Sequence, residues 1–198
     1  MLDNMVTINP ALIKVTSMFR SFISLLLVVV FHSTALSQEL PKATKGPVFS
    51  DYGPVFKIED RDIQLKDGFK YKVFFDITQA AKETFNLNRR FESVARFINM
   101  HAMNGVKLED MEIAVVVHGA ATRDVLTQKT YQELYLDDNP TLRLIEQLHK
   151  KGVKFYLCGQ SLYFQNLTKK DLAPQVNLAL SAMTTSTMLQ AEGFTLIP

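Results

Sequence analysis

The residue best suited to chemistry is Cys158, the only cysteine among 198 residues, in the stretch VKFYLCGQSLYF. An apolar run precedes it and a glycine follows, the pattern of a buried strand turning into a helix. At such a junction the helix's unpaired backbone N–H groups and its dipole favour the thiolate over the thiol. Gly159 lets the backbone pass closely there, and Gln160 and Ser161 supply polar groups at the same place. Three other apolar runs end in the same way. Asp76 closes YKVFFDI, His118 and Gly119 follow MEIAVVV, and Ser181 follows VNLAL. In open parallel sheets ligands bind beyond the carboxyl ends of the strands. The candidates are therefore Cys158 as nucleophile, His118 as its neighbour and charge partner, and Asp76, Gly119, Gly159, Gln160, Ser161 and Ser181 as binding residues. For each there is a plainer role: a small buried hydrophobe for Cys158, a turn cap for His118, a loop-orienting contact for Asp76.

The elements that must position these residues follow from the pattern. Asp67-Gly68 is a turn, and 71–77 is a β-rich run after it. Leu87, Phe91, Val94, Ala95, Ile98 and Ala102 recur at helical spacing, and Asn104-Gly105 ends that helix. Residues 111–117 are apolar almost throughout, as strands buried on both faces are. Asn139-Pro140 opens a second helix with Leu142, Ile145 and Leu148 on its inner stripe, and Gly152 closes it. A third strand at 153–157, a short helix after Cys158, a capping box at Thr168–Asp171, a strand at 176–180, a helix at 181–192 and a last strand at 194–197 complete the chain. Strands alternating with helices specify an α/β fold, a three-layer, mostly parallel sheet of Rossmann-like or flavodoxin-like type.

The first 37 residues differ in kind. Arg20 precedes a ten-residue apolar core from Phe22 to Phe31, and Ala35-Leu36-Ser37 offers small residues for cleavage near Ser37-Gln38. This reads as a signal peptide, with residues 1–17 upstream of a true start at Met18, and predicts export across the inner membrane to the periplasm. The apolar core is about half of the roughly 20 residues a membrane-spanning helix needs, so no stable membrane anchor is expected. Residues 38–68 read as an extended N-terminal arm before a domain at 69–198. Within it the doubled Gly-Pro-Val-Phe at Gly46 and Gly53 suggests exposed Val and Phe pairs lying along a surface groove or a neighbouring subunit.

Composition narrows the function. The chain is 47% hydrophobic and 21% charged, with net charge +2 and mean hydropathy +0.03, the profile of a globular domain. No basic run exceeds two residues, which argues against nucleic acid as a partner. Neither GxGxxG after the first strand nor GxxxxGK[ST] occurs, and GxSxG is absent. His101, His118 and His149 sit on separate elements without ligand spacing, so neither a metal nor a cofactor is expected. A dipole contact at a helix end accounts for His101, and Tyr52, Tyr131 and Tyr135 read as core.

Taken together, YKVFFDIT, IAVVVHGAAT, NPTLRLIEQLHKKGVKFYLCGQSL and LALSAMTTSTMLQAEGFTLIP resemble the DsrE/DsrF-like family over residues 71–198. The resemblance implies a compact α/β subunit that forms homo-oligomers, trimers or hexamers. In the family's sulfur-relay members, a cysteine at the position matched by Cys158 accepts a persulfide and passes the sulfur to a partner protein. Those members serve cytoplasmic reactions, and this chain differs by its export signal. A persulfide carrier or sulfurtransferase with an unnamed sulfur donor and acceptor is the expected function. The alternative is a non-catalytic oligomeric binding or scaffold protein whose cysteine is structural. A carrier needs no resolving cysteine nearby, since one would discharge the persulfide as a disulfide, and this chain has none.

Overall fold

A computed structural model describes residues 42–197, so the expected signal peptide, its expected cleavage site and the first residues of the arm lie outside the described residues. Five parallel strands form one sheet: β1 (Tyr71–Ile77), β2 (Met111–Val117), β3 (Lys154–Cys158), β4 (Val176–Ala179) and β5 (Thr195–Ile197), in the order β4-β3-β2-β1-β5. Aromatic and β-branched residues fill the central strands, and their alternation divides the sheet into two faces. Val73, Phe75, Ile77, Ile113, Val115, Val117, Phe155 and Leu157 join the larger core. Phe74, Ala114, Val116 and Cys158 point into a smaller one.

The larger core is closed by α1 (Arg89–Met103), α2 (Gln128–Tyr135) and α3 (Leu142–Lys150). Asn88 caps α1 by accepting the Arg90 N–H at 2.9 Å, and Phe91, Val94, Ala95 and Ile98 bury its inner stripe. Among the described residues the smaller core is covered by α5 (Ala182–Ala191), which crosses back over the sheet and delivers β5 to the far side of β1 from β2. Between β3 and β4 runs α4 (Gly159–Phe164), followed by the expected capping box, in which the Asp171 carboxylate accepts the Thr168 N–H and hydroxyl, each at 2.8 Å.

Three sequence expectations require correction. The Val and Phe pairs of the arm are not all exposed. Phe49 and Val55 are buried, while Phe56 is open to solvent. The arm is strapped to α1 of its own chain by Asn99, whose amide accepts the N–H groups of Val48 and Phe49 and donates to the carbonyls of Phe49, Tyr52 and Gly53. Both glycines of the doubled motif exist for this approach. A Cβ on Gly46 would lie 1.9 Å from the Asn99 side chain, and one on Gly53, whose φ is +61°, would lie 2.3 Å from the Arg96 nitrogen. His101 is no charged dipole partner. It is buried against Tyr71 and Phe97, its Nδ1 lies 2.8 Å from the Phe97 carbonyl oxygen, and burial holds its pKa below the usual histidine value. Thirdly, residues 119–135, which show no periodicity, form a 3-10 segment (Gly119–Val125) and α2, capped by the Thr127 hydroxyl.

A buried polar network holds the loops at the carboxyl ends of the strands. Asn88 donates to the Asp124 carboxylate at 2.7 Å and to the Gln79 carbonyl, and its N–H is accepted by the Thr141 hydroxyl. Asn139 donates to the carbonyls of Asp124 and Leu126 and accepts the Thr141 N–H. The second Asp124 oxygen has no hydrogen-bond partner, and the Arg123 Nε stands 4.0 Å away. Burial pushes the Asp124 pKa up to about 6, against smaller opposing effects of the Asn88 hydrogen bond and Arg123. The folded protein thus holds this proton more tightly than the unfolded chain. Its contribution to stability, about 3 kcal/mol, is complete below the unfolded value and is lost as pH rises through about 6. Urea unfolding at pH 4 and pH 7 is expected to show wild type losing that stability relative to Asp124→Asn, which cannot ionise there. Equal pH dependence in the two proteins would refute this account.

Candidate functional site

Parallel register sets the site out in a row. Tyr71 pairs with Met111 and Ile77 with Val117, and Val117 in turn pairs with Leu157. His118 and Cys158 therefore stand one step beyond a matched pair, at the carboxyl ends of neighbouring strands. Cys158 is the last residue of β3 rather than the first beyond it, and its side chain lies in the smaller core, where the residue is 6% exposed.

Two helix starts converge on the sulfur. Burial raises the pKa of the thiol, but hydrogen bonding from the backbone N–H of Ser161, of Ala182, the Ser161 hydroxyl and the Gln160 N–H outweighs it and leaves the pKa below the ordinary cysteine value. Gln160 and Ser161 belong to α4, whereas Ala182 opens α5 on the other side of β4. Ser161 is itself held: its oxygen accepts the Gly119 N–H at 3.0 Å, which leaves its own proton to point at the sulfur. Gly119, at φ +58°, presents that N–H, and its carbonyl accepts the Gln165 amide at 2.9 Å and the Thr122 hydroxyl at 2.8 Å. Gln160 donates to the Leu180 carbonyl at 3.3 Å and so ties α4 to the turn before α5.

Gly159 permits the convergence. A Cβ there would fall 2.6 Å from the Ala179 carbonyl oxygen, a backbone atom that cannot turn aside. Ser181, buried, caps α5 by accepting the Thr184 N–H at 3.0 Å, and so orients the Ala182 N–H without touching a ligand position itself.

Of the two roles weighed for His118, its ring takes neither the thiol as partner nor a side-chain capping bond at the start of the 3-10 segment. The imidazole Nε2 stands 2.9 Å from an Asp76 carboxylate oxygen, and both side chains are about one-third exposed. Hence Cys158, Gly119, Gly159, Gln160, Ser161 and Ser181 form one unit, and Asp76 with His118 a second one beside it. Ala182 is the member that sequence reasoning missed. Its signal was present in Ser181 as a helix cap, which fixes where the first free N–H of that helix must lie. Around the thiol, Tyr163, Phe164, Leu180 and Met183 are exposed apolar side chains at the ends of α4 and β4 and the start of α5.

Among the described residues no group of three or more His, Cys, Asp or Glu side chains could hold a metal ion, and no helix is long and apolar enough to cross a membrane. What the arrangement can do is favour the thiolate of a lone cysteine relative to an ordinary thiol, at the carboxyl edge of the sheet.

Labelling tests the donor set. At pH 6.5, Ser161→Ala is expected to slow alkylation of Cys158 by about threefold to tenfold, the weight of one hydrogen bond. His118→Ala is expected to leave the rate near that of wild type. The reverse ranking would reassign the thiolate's support to the histidine.

Residues 72–198 match the model of the DsrE/DsrF-like family. Among solved structures, the chain is similar to a protein of unknown function, MTH1491, from Methanobacterium thermoautotrophicum, with a TM-score of 0.50 and 20% identity over 65% of this chain and 98% of that one. At that identity the likeness bears on fold alone. No curated protein matches the chain.

Proposed function

Because the chain belongs to the DsrE/DsrF-like family, whose membership suggests a role related to sulfur relay, we propose that it carries sulfur as a persulfide on Cys158. The observation that carries the reading is the convergence of two helix starts on a solitary sulfur, with Gln160, Ser161 and Ala182 favouring its thiolate. The Cys158 thiolate attacks the outer sulfur of a donor persulfide, R–S–SH. A new S–S bond forms to Cys158, the donor's S–S bond breaks, and R–S⁻ leaves with its electron pair. An acceptor thiolate then takes the same sulfur and restores the Cys158 thiolate, so that no external oxidant or reductant is consumed. The donors that favour the thiolate also favour its role as leaving group in the second step. No second cysteine exists in the chain to intercept the persulfide.

The location belongs to the same proposal: the leader-like segment between Met18 and Gln38 supports a periplasmic protein. Assembly as a homo-oligomer, with an unidentified sulfur donor or acceptor protein, is supported by the exposed Tyr163, Phe164, Leu180 and Met183 beside the thiol. One observation favours the second reading, a non-catalytic scaffold with a structural cysteine: Cys158 is only 6% exposed.

Intact mass spectrometry separates them. After exposure to polysulfide, wild type is expected to gain sulfur in 32-Da steps that a thiol reductant removes, and Cys158→Ala to gain none. Absence of a reducible adduct on wild type, together with alkylation of Cys158 only after unfolding, would sink the carrier reading in favour of the scaffold.

A further inference from the structure

On the face of the sheet opposite Cys158, two cavities meet at the carboxyl end of β1. One is a cleft of about 210 Å³ between α1 and the edge strand β5, floored by Phe75 and Ile77 and walled by Phe97, Met100 and Ile197. The other, about 860 Å³, lies under the loop after β1 and is lined by Lys82, Arg89 and Arg90. Arg90 and Ser93 line both.

The continuity comes from a second stripe on α1. Phe91, Val94, Ala95 and Ile98 face the core, whereas Arg90, Ser93, Phe97 and Met100 recur at i, i+3, i+7 and i+10 on a different side, charged at the start and apolar at the end. That stripe runs about 15 Å along the helix. Its apolar end is uncovered: Met100 is 44% exposed. Charge at the other end is one-sided. Glu92 and Asp76 also line these cavities, but Glu92 accepts the Gly53 N–H at 3.3 Å and Asp76 is engaged with His118. The side chains of Lys82, Arg89 and Arg90 have no hydrogen-bond or ion-pair partner among the described residues.

We propose that this paired cavity binds a small amphiphilic anion, with a short apolar body in the cleft between α1 and β5 and a carboxylate or sulfonate at Arg90. Charge complementarity selects the head group, because three unpartnered cations outnumber the two engaged acids. The cleft is smaller than the roughly 300 Å³ at which drug-sized pockets begin, which limits the body to a short chain. The site is independent of the sulfur chemistry at Cys158.

Calorimetric titration of the full-length chain with hexanoate, hexane-1-sulfonate, hexan-1-ol and sodium sulfate tests it. The two amphiphilic anions are expected to saturate one site and displace each other, with hexanol and sulfate weaker by about tenfold or more. Arg90→Gln should weaken hexanoate by a similar factor and leave hexanol unchanged. Met100→Asp, at an exposed position, should weaken both, and Cys158→Ser neither. Sulfate binding as tightly as hexanoate, hexanoate binding unchanged in Arg90→Gln and Met100→Asp, loss of binding in Cys158→Ser, or no saturable binding at all would each overturn the proposal.

Discussion

The site depends on one close approach. Where β3 passes into α4, the chain presses against the carbonyl of Ala179 at the end of β4, at a distance that admits glycine and no larger residue. That contact sets β4 and the turn after it near enough for the first N–H of α5 to reach a sulfur that belongs to β3. Without it the thiol would keep only the donors of its own short helix, against a burial penalty that is the largest single influence on its pKa. Gly119 adds a second restraint of the same backbone kind, fixing Ser161 from the neighbouring strand end. The electrostatic character of the sulfur is thus a property of packing between three strand ends rather than of the residues immediately beside it.

Loops at that edge are held by polar groups that the core closes over. Asn88, Asp124, Asn139 and Thr141 tie the loop after β1, the turn after β2 and the start of α3 to one another. A buried carboxylate with one unpaired oxygen costs stability at neutral pH, but the network spans loops that the strand ladders do not join. The arm is handled similarly, through a single buried amide on α1 that satisfies five backbone groups.

Most of the sheet was legible in the sequence because its strands are apolar on both faces and its helices carry strong stripes. β1 and β2 coincide with the runs 71–77 and 111–117, and α1 with the periodicity from Leu87 onward. The strand-end rule also placed the polar candidates along one edge of the sheet, where the structure has them. What it could not read was which of them touch. Register and side-chain direction decide that His118 meets Asp76 and that Ala182, an alanine with no side-chain chemistry to advertise, supplies a donor to the thiol. Residues 119–135 escaped because a 3-10 segment has no 3.6-residue period and the eight-residue α2 is too short to show one. The arm misled for a different reason. Gly-Pro pairs signal extended backbone, but not that both glycines are pressed onto a helix.

The crossing of α5 carries a consequence for the making of the protein. Synthesis runs from the N-terminus, so Cys158 is made before the helix whose first N–H reaches its sulfur and before β5, which anchors that helix beside β1. Until α5 is in place the sulfur has only the donors of α4, the N–H groups of Gln160 and Ser161 and the Ser161 hydroxyl, and the Ala182 contribution is added by the last part of the chain to be made.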